Sequence, residues 1–178
     1  MKVELWTHPD FFPGASIDAV AVRLSRPAHH RLHFRYEVSG RIAELYIAEP
    51  AEPVRADRLW ETTCFEAFLK PVGQTGYLEF NFSPSSRWAA YAFDAYRAGM
   101  TQAALPAVPA IMVQRSNSLL VVDVDLALDL EPVDYRIGVS AVIDERDAPI
   151  SYWALGHPGD HPDFHHDTCF GLELPAAT

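Results

Sequence analysis

A chain of 178 residues, 49% of them hydrophobic, has an ordinary globular composition and is long enough to bury a core without a metal or disulfide staple. Its 14 Lys+Arg stand against 24 Asp+Glu, a net charge of -10 with no basic run, which argues against nucleic acid and anionic membrane surfaces as partners. No apolar run approaches the ~20 residues of a membrane helix. Glu4, His8 and Asp10 also interrupt the stretch where a signal peptide would be continuous, so a cytoplasmic setting is expected, with Cys64 and Cys169 as reduced, buried thiols.

The hydrophobic period is two along the whole chain. Lys2 to Trp6 and Asp18 to Leu24 read as opening strands. Leu32, Phe34, Tyr36 and Val38 alternate with His33, Arg35 and Glu37, the pattern of a half-buried strand. Ser39-Gly40 reads as a tight turn into a partner strand, Arg41 to Ile47. Thr63 to Lys70 and Tyr77 to Phe82 alternate on either side of the turn residues Pro71 to Gly76, and Arg87 to Phe93 enters through Ser83-Pro84-Ser85-Ser86. Gly99 to Ala110, broken by Pro106 and Pro109, reads as a long crossover. Ile111 to Arg115 and Leu119 to Leu126 flank Ser116-Asn117-Ser118 as a hairpin, and Tyr135 to Ile143, Ser151 to Leu155 and Phe170 to Leu174 complete the series. Every proline but Pro175 falls between these runs, and Pro175 follows the last, as expected if a proline inside a strand would remove a ladder donor. About ten or eleven strands, no strong amphipathic helix and no break in the series predict one all-β domain over residues 1–178, an antiparallel β-sandwich of jelly-roll or immunoglobulin-like kind.

Glu66 and Lys70 face one side of their strand, and Tyr77, Glu79 and Asn81 one side of the next. With the apolar faces turned inward, these five share an outer sheet face. Carboxylates, an amide and a phenol suit the hydroxyls of a polyol, and an aromatic ring suits its C–H surface. We expect Glu66, Tyr77, Glu79 and Asn81 to bind the ligand, with Arg35 or Arg87 adding a charge-assisted bond and Trp88 a stacking face. An ordinary solvated sheet face is the plainer alternative. Glu66 and Glu79, if close, would raise each other's pKa, the arrangement of acid–base work on a glycoside, so a small hydrolase is a further alternative.

His157, His161 and His165 repeat every four residues in a loop rich in Asp. Pro158, Gly159 and Pro162 forbid the helix that would align them, but loops also ligate metal, so the three stand as a metal-site alternative beside a plain structured loop. GxSxG, GxGxxG, HExxH and a phosphate-cradling glycine loop are all missing. A module that pairs through a sheet edge is another reading.

The stretch Leu59-Trp60-Glu61-Thr62-Thr63-Cys64-Phe65-Glu66-Ala67-Phe68-Leu69, followed by Tyr77-Leu78-Glu79-Phe80-Asn81-Phe82-Ser83-Pro84, resembles the DOMON-like ligand-binding domains. More distantly it is similar to the family-nine carbohydrate-binding modules. Trp153-Ala154-Leu155-Gly156-His157-Pro158 with Pro162-Asp163-Phe164-His165 resembles the small bacterial DOMON-like group, and the likeness runs from Asp18 to Leu174. The resemblance implies a β-sandwich that binds a sugar or a haem, without catalysis. Family-nine modules follow Leu-Trp with an Asp that helps hold calcium, whereas this chain has Thr62-Thr63-Cys64 there. Haem-binding relatives use a Met and a His as axial ligands, and Met112 and the histidines do not match that motif. The expectation is therefore a non-enzymatic domain that binds a small carbohydrate or glycan fragment and needs no cofactor. Calcium or another metal ion, and haem, are the alternatives. A small-molecule or glycan ligand is the expected partner, with homo-oligomerisation left open.

Overall fold

The computed structural model describes residues 1–12 and 14–176. Its strands are β1 (Lys2–Thr7), β2 (Ile17–Ala28), β3 (Arg31–Gly40), β4 (Cys64–Pro71), β5 (Tyr77–Phe82), β6 (Trp88–Phe93), β7 (Thr101–Gln102), β8 (Ala110–Arg115), β9 (Leu119–Ala127), β10 (Tyr135–Ile143), β11 (Ser151–Ala154) and β12 (Leu172–Leu174). One sheet runs β1-β2-β3-β9-β8. The other runs β7-β6-β5-β4-β10, with β11 and β12 sharing the far edge of β10. Trp6 and Thr7 of β1 pair with Ala154 and Trp153 of β11, which curls the two sheets into one wrapped structure. The expected all-β antiparallel sandwich is what forms.

The period-two pattern decides which side chains meet between the sheets. Phe34, Tyr36 and Val38 of β3, Val122 and Val124 of β9, Phe65 and Leu69 of β4, Phe80 and Phe82 of β5 and Ile137 of β10 are fully buried in one cluster. The Tyr36 ring lies 5.0 Å from Phe65 and the Phe34 ring 6.4 Å from Phe82 across the interface. The Tyr36 hydroxyl donates to the Glu66 carbonyl at 2.7 Å, which satisfies a phenol that would otherwise be buried without a partner.

Three expectations need correction. Arg41 to Ile47 is not a strand: residues Ile42–Glu44 form a 3₁₀ turn, and β3 pairs with β2 and β9 instead. Ile42 and Leu45 are both buried and three residues apart, the repeat of a 3₁₀ turn rather than of a strand. Gly40 is there for close approach: at φ 142° its missing Cβ would lie 2.0 Å from the Ser16 carbonyl oxygen. The prolines do not all fall outside strands, since Pro71 ends β4 and Pro27 lies within β2. Pro27 is tolerated because the register with β3 shifts between Ser25 and Ala28, a bulge where the ladder lacks a donor anyway. The crossover after Gly99 is not wholly irregular, because Thr101 and Gln102 add a short edge strand to β6.

The outer face of the second sheet is not solvated. Residues 64–69 of β4 are buried on both faces. Phe68, Tyr77, Tyr91, Phe93, Val142 and Phe170 belong to a second apolar cluster on that outer side. The segment between β11 and β12 lies over it, pinned at several points. His157 Nε2 donates to the Trp6 carbonyl at 2.8 Å and His8 Nε2 to the Gly159 carbonyl at 3.0 Å. Arg136 reaches up from β10 to the carbonyls of Asp167 and Phe170. Both cysteines are free and buried, and among the described residues no helix is long and apolar enough to cross a membrane.

Candidate functional site

Cross-strand register assembles the floor of a site on this covered face. Glu66 stands opposite Asn81 on one side and Ser140 on the other, while Glu79 stands opposite Phe68 and Tyr91. The two glutamates are therefore diagonal neighbours on adjacent strands. Above Glu66 is a cavity of about 460 Å³, the size of a small-molecule site, and Glu79 stands beside that floor, 3.7 Å from the wall residue His165. Strands contribute Glu66, Phe93, Val142 and Tyr152 to its lining, and the intervening loops contribute Trp60, Arg97, Phe164 and His165.

Burial and mutual proximity set the charge state of the floor. Glu66 is 4% exposed and Glu79 5%. Burial, and then the neighbouring Glu79, push the Glu66 carboxyl up to about 8 against the opposing pull of the Ser140 hydrogen bond and Arg97. Its Oε2 accepts from Ser140 Oγ at 2.9 Å. Burial also raises Glu79, whose Oε1 accepts from Asn81 Nδ2 at 2.6 Å. The His165 imidazole is pushed down to about 4 by burial and then by Arg97, so it is neutral at pH 7. The Arg97 backbone N–H donates to the Tyr77 hydroxyl at 3.1 Å, and that hydroxyl is hydrogen-bonded to His165 Nδ1 at 2.7 Å. The other ring nitrogen, Nε2, is 3.7 Å from Glu79 Oε2.

Two anchors hold the loop walls. Arg97 sits at φ 51° and gives Nε and Nη2 to Asp163 Oδ1 at 3.1 and 2.8 Å. Asp163 also accepts from Tyr96 and from the His165 backbone N–H. Burial would raise the Asp163 carboxyl, but the hydrogen bonds from Tyr96 and Arg97 outweigh it and hold Asp163 below the usual range. On the opposite wall the Tyr91 hydroxyl donates to Asp57 Oδ1 at 2.6 Å, the Arg55 guanidinium lies 5.3 Å from the Tyr91 ring centre, and Trp60 meets Tyr91 edge-on at 6.4 Å.

The architecture around this site is shared with carbohydrate-binding proteins. A candidate carbohydrate-binding protein from Bacteroides uniformis superposes with a TM-score of 0.61 at 16% identity, over 86% of this chain and 76% of that one. A family 9 carbohydrate-binding module from Caldicellulosiruptor kristjanssonii, in complex with glucose, superposes with a TM-score of 0.52 at 13% identity, over 88% of this chain and 75% of the module. At these identities the likeness is one of fold. No known family profile matches the chain, and no curated protein does.

Of the residues expected at the site, Glu66, Tyr77, Glu79 and Asn81 do come together. Asn81 acts from within, since it is fully buried and bonds Glu79. Arg35 does not join them. It lies on the outer face of the first sheet, bonded to Glu37 and Asp123. Arg87 is exposed just before β6. Trp88 pairs with inward-facing Phe82 and packs against the main core, its Nε1 donating to the Pro53 carbonyl, so Tyr91 and Phe93 are the β6 rings on the outer side and Phe93 is the one that lines the cavity.

The three histidines do not converge on one point. His157 is tied to Trp6, His161 is exposed and His165 stands in the pocket wall. Among the described residues no three His, Cys, Asp or Glu side chains gather as a metal would need. Calcium, which takes 6–8 oxygen ligands, does not fit the Thr62 to Cys64 neighbourhood. Thr63 Oγ1 there accepts the Asp144 N–H at 3.1 Å, and the Cys64 thiol points to Asn81. Met112, the candidate haem ligand, is exposed on β8 opposite Asp123.

Sequence reasoning missed Arg97, Asp163, Ser140 and Phe164. Phe164 carried a signal, because a large apolar residue inside a Pro, Gly and Asp loop must cover something. The Arg97–Asp163 pair carried none, since it spans 66 positions.

Proposed function

We propose that the chain is a DOMON-like domain that binds a small carbohydrate or glycan fragment in the pocket over Glu66 and Glu79. The observation that carries this reading is the pocket's lining. Trp60, Phe93, Tyr152 and Phe164 offer apolar ring surface for sugar C–H groups, and Glu66 and His165, with Glu79 next to both, offer donors and acceptors for hydroxyls. With its raised pKa the Glu66 carboxyl donates a hydrogen bond at neutral pH, so floor and walls supply both senses of bonding. The fold shared with a glucose-bound family 9 module supports the same class of ligand. Calorimetry with a panel of monosaccharides tests the reading. Trp60→Ala and Glu79→Gln are expected to weaken binding about tenfold or more, while Trp88→Ala, on the other side of the sheet, leaves it unchanged. No heat with any sugar, or full affinity in both pocket variants, would overturn it.

One observation favours a second reading, glycoside hydrolysis. A carboxyl held protonated beside another in one cavity is the acid half of that chemistry. Release of nitrophenol from aryl glycosides, abolished by Glu66→Gln, would establish it; a silent panel would remove it. The cytoplasmic setting is also a proposal, supported by the two free thiols and checked by fractionation of the native cells.

A further inference from the structure

We propose that the sugar taken by this pocket carries a protonated amino group, seated against the Glu66–Glu79 pair; the inference rests on the carbohydrate reading above. It comes from the charges that meet in the cavity. Two carboxyls, each at least nine-tenths buried, stand on adjacent strands beneath the cavity: Glu66 lines it, and Glu79 is its diagonal neighbour. Each is hydrogen-bonded through one oxygen, Glu66 to Ser140 and Glu79 to Asn81. Among the described residues the second oxygen of each has no hydrogen-bond donor.

The groups facing Glu66 come from every neighbouring element. They are Cys64 on its own strand, Tyr36 from β3, Glu79 from β5, Ser140 from β10, Tyr152 from β11, Arg97 from the turn after β6 and His165 from the covering segment. Of these Arg97 alone is a cation at pH 7, and its guanidinium is fastened to Asp163 by two hydrogen bonds. His165 is neutral and stands with Nε2 3.7 Å from Glu79 Oε2, bringing no charge. The floor is thus two acids short of a cation.

An acid pair in this state repels itself when ionised and must hold protons to stay buried. A neutral sugar leaves that condition unchanged. An ammonium within about 4–6 Å removes it, because an opposite charge favours both carboxylates. The rings of Trp60, Tyr152, Phe93 and Phe164 around the cavity favour a cation as well. The net charge of -10 adds a field that attracts cationic rather than anionic ligands.

The proton balance follows directly. Near pH 7 the free pocket holds a proton on Glu66, and an amine arriving as its ammonium form displaces that proton to the solvent. Binding of an amino sugar therefore releases about one proton, whereas binding of the parent sugar releases none.

Calorimetry with glucosamine, glucose and N-acetylglucosamine, each in two buffers of different ionisation enthalpy, tests this on the whole chain. Glucosamine is expected to bind about 10–100-fold tighter than the other two and to release about one proton. Glu66→Gln keeps the acceptor for Ser140 and is expected to level the three affinities and abolish the release; Glu79→Gln is the second variant should the first fold poorly. Glucose or N-acetylglucosamine binding as tightly as glucosamine would overturn the amino-sugar inference and leave the carbohydrate reading standing. Binding of none of the three would overturn both.

Discussion

Glu66→Gln also separates the two halves of the electrostatic account with no ligand present. The Glu66 carboxyl is raised from 4.5 to about 8, so below pH 4.5 it is protonated in both native and unfolded chains and contributes no pH dependence. Between the two values the unfolded chain releases the proton and the native one keeps it, so native stability falls as pH rises through this window. The difference between 4.5 and about 8, at 1.36 kcal/mol per pH unit, puts the fall on the order of a few kcal/mol, at most about 5, by pH 8, with little further loss above. The group is fully buried, so solvent does not screen the effect. Glutamine has the same shape, accepts from Ser140 and has no proton to lose. The variant should match the parent near pH 4.5 and melt about 10–20 °C higher near pH 8 for a domain of this length. Thermal denaturation of both proteins by circular dichroism, from pH 4.5 to 9 at fixed salt, measures the gap. Titrating groups away from the pair are common to both proteins and cancel in the difference, while Glu79, relieved of a neighbouring carboxylate in the variant, widens the gap in the same direction. Melting curves that run parallel across the range, or a gap that narrows as pH rises, would refute a protonated, desolvated Glu66.

Tyr77→Phe removes the hydroxyl that joins Arg97 to His165 and should cost about 1–3 kcal/mol, read as a lower urea midpoint with an unchanged slope. Gly99→Ala should be worse than Gly73→Ala. Both glycines have positive φ, but a Cβ at Gly99 falls 2.1 Å from Asp94 Oδ2, whereas at Gly73 nothing lies within 4 Å; equal losses of melting temperature would contradict the close approach. Phe68→Ala empties the second cluster from beneath His165 and Phe170 and should cost about 3–5 kcal/mol together with sugar binding, measured by denaturation and calorimetry on the same sample.

The strands were legible wherever alternation was backed by bulky apolar residues, as in Leu32 to Val38 and Tyr77 to Phe82. The same parity put Glu66, Tyr77, Glu79 and Asn81 together on one outer face, because each alternates with core positions. Parity does not say which sheet a polar face belongs to, so Arg35 was grouped with residues on the other side of the molecule. Nor does it reveal burial. The cover comes from a segment with no period, and its contacts to Tyr77 and Arg97 are set by tertiary packing alone. Trp88 could have been placed correctly from its neighbours, since Phe82 points inward and stands opposite it. Arg41 to Ile47 failed because Ile42 and Leu45 follow a three-residue repeat, too short to register against the surrounding twos.

β4 has no face left for solvent, and this governs how such a protein can change over time. A substitution at any of positions 64–69 strikes either the main core or the pocket floor, so mutational tolerance there should be low at every position rather than at alternate ones. The side chains that close around a ligand, Trp60, Arg97, Phe164 and His165, all hang from loops. Descendants with new ligand preferences are therefore expected to differ in those three loops while the strand beneath them stays nearly constant, so that recognition diversifies by exchange of the rim over an inherited floor.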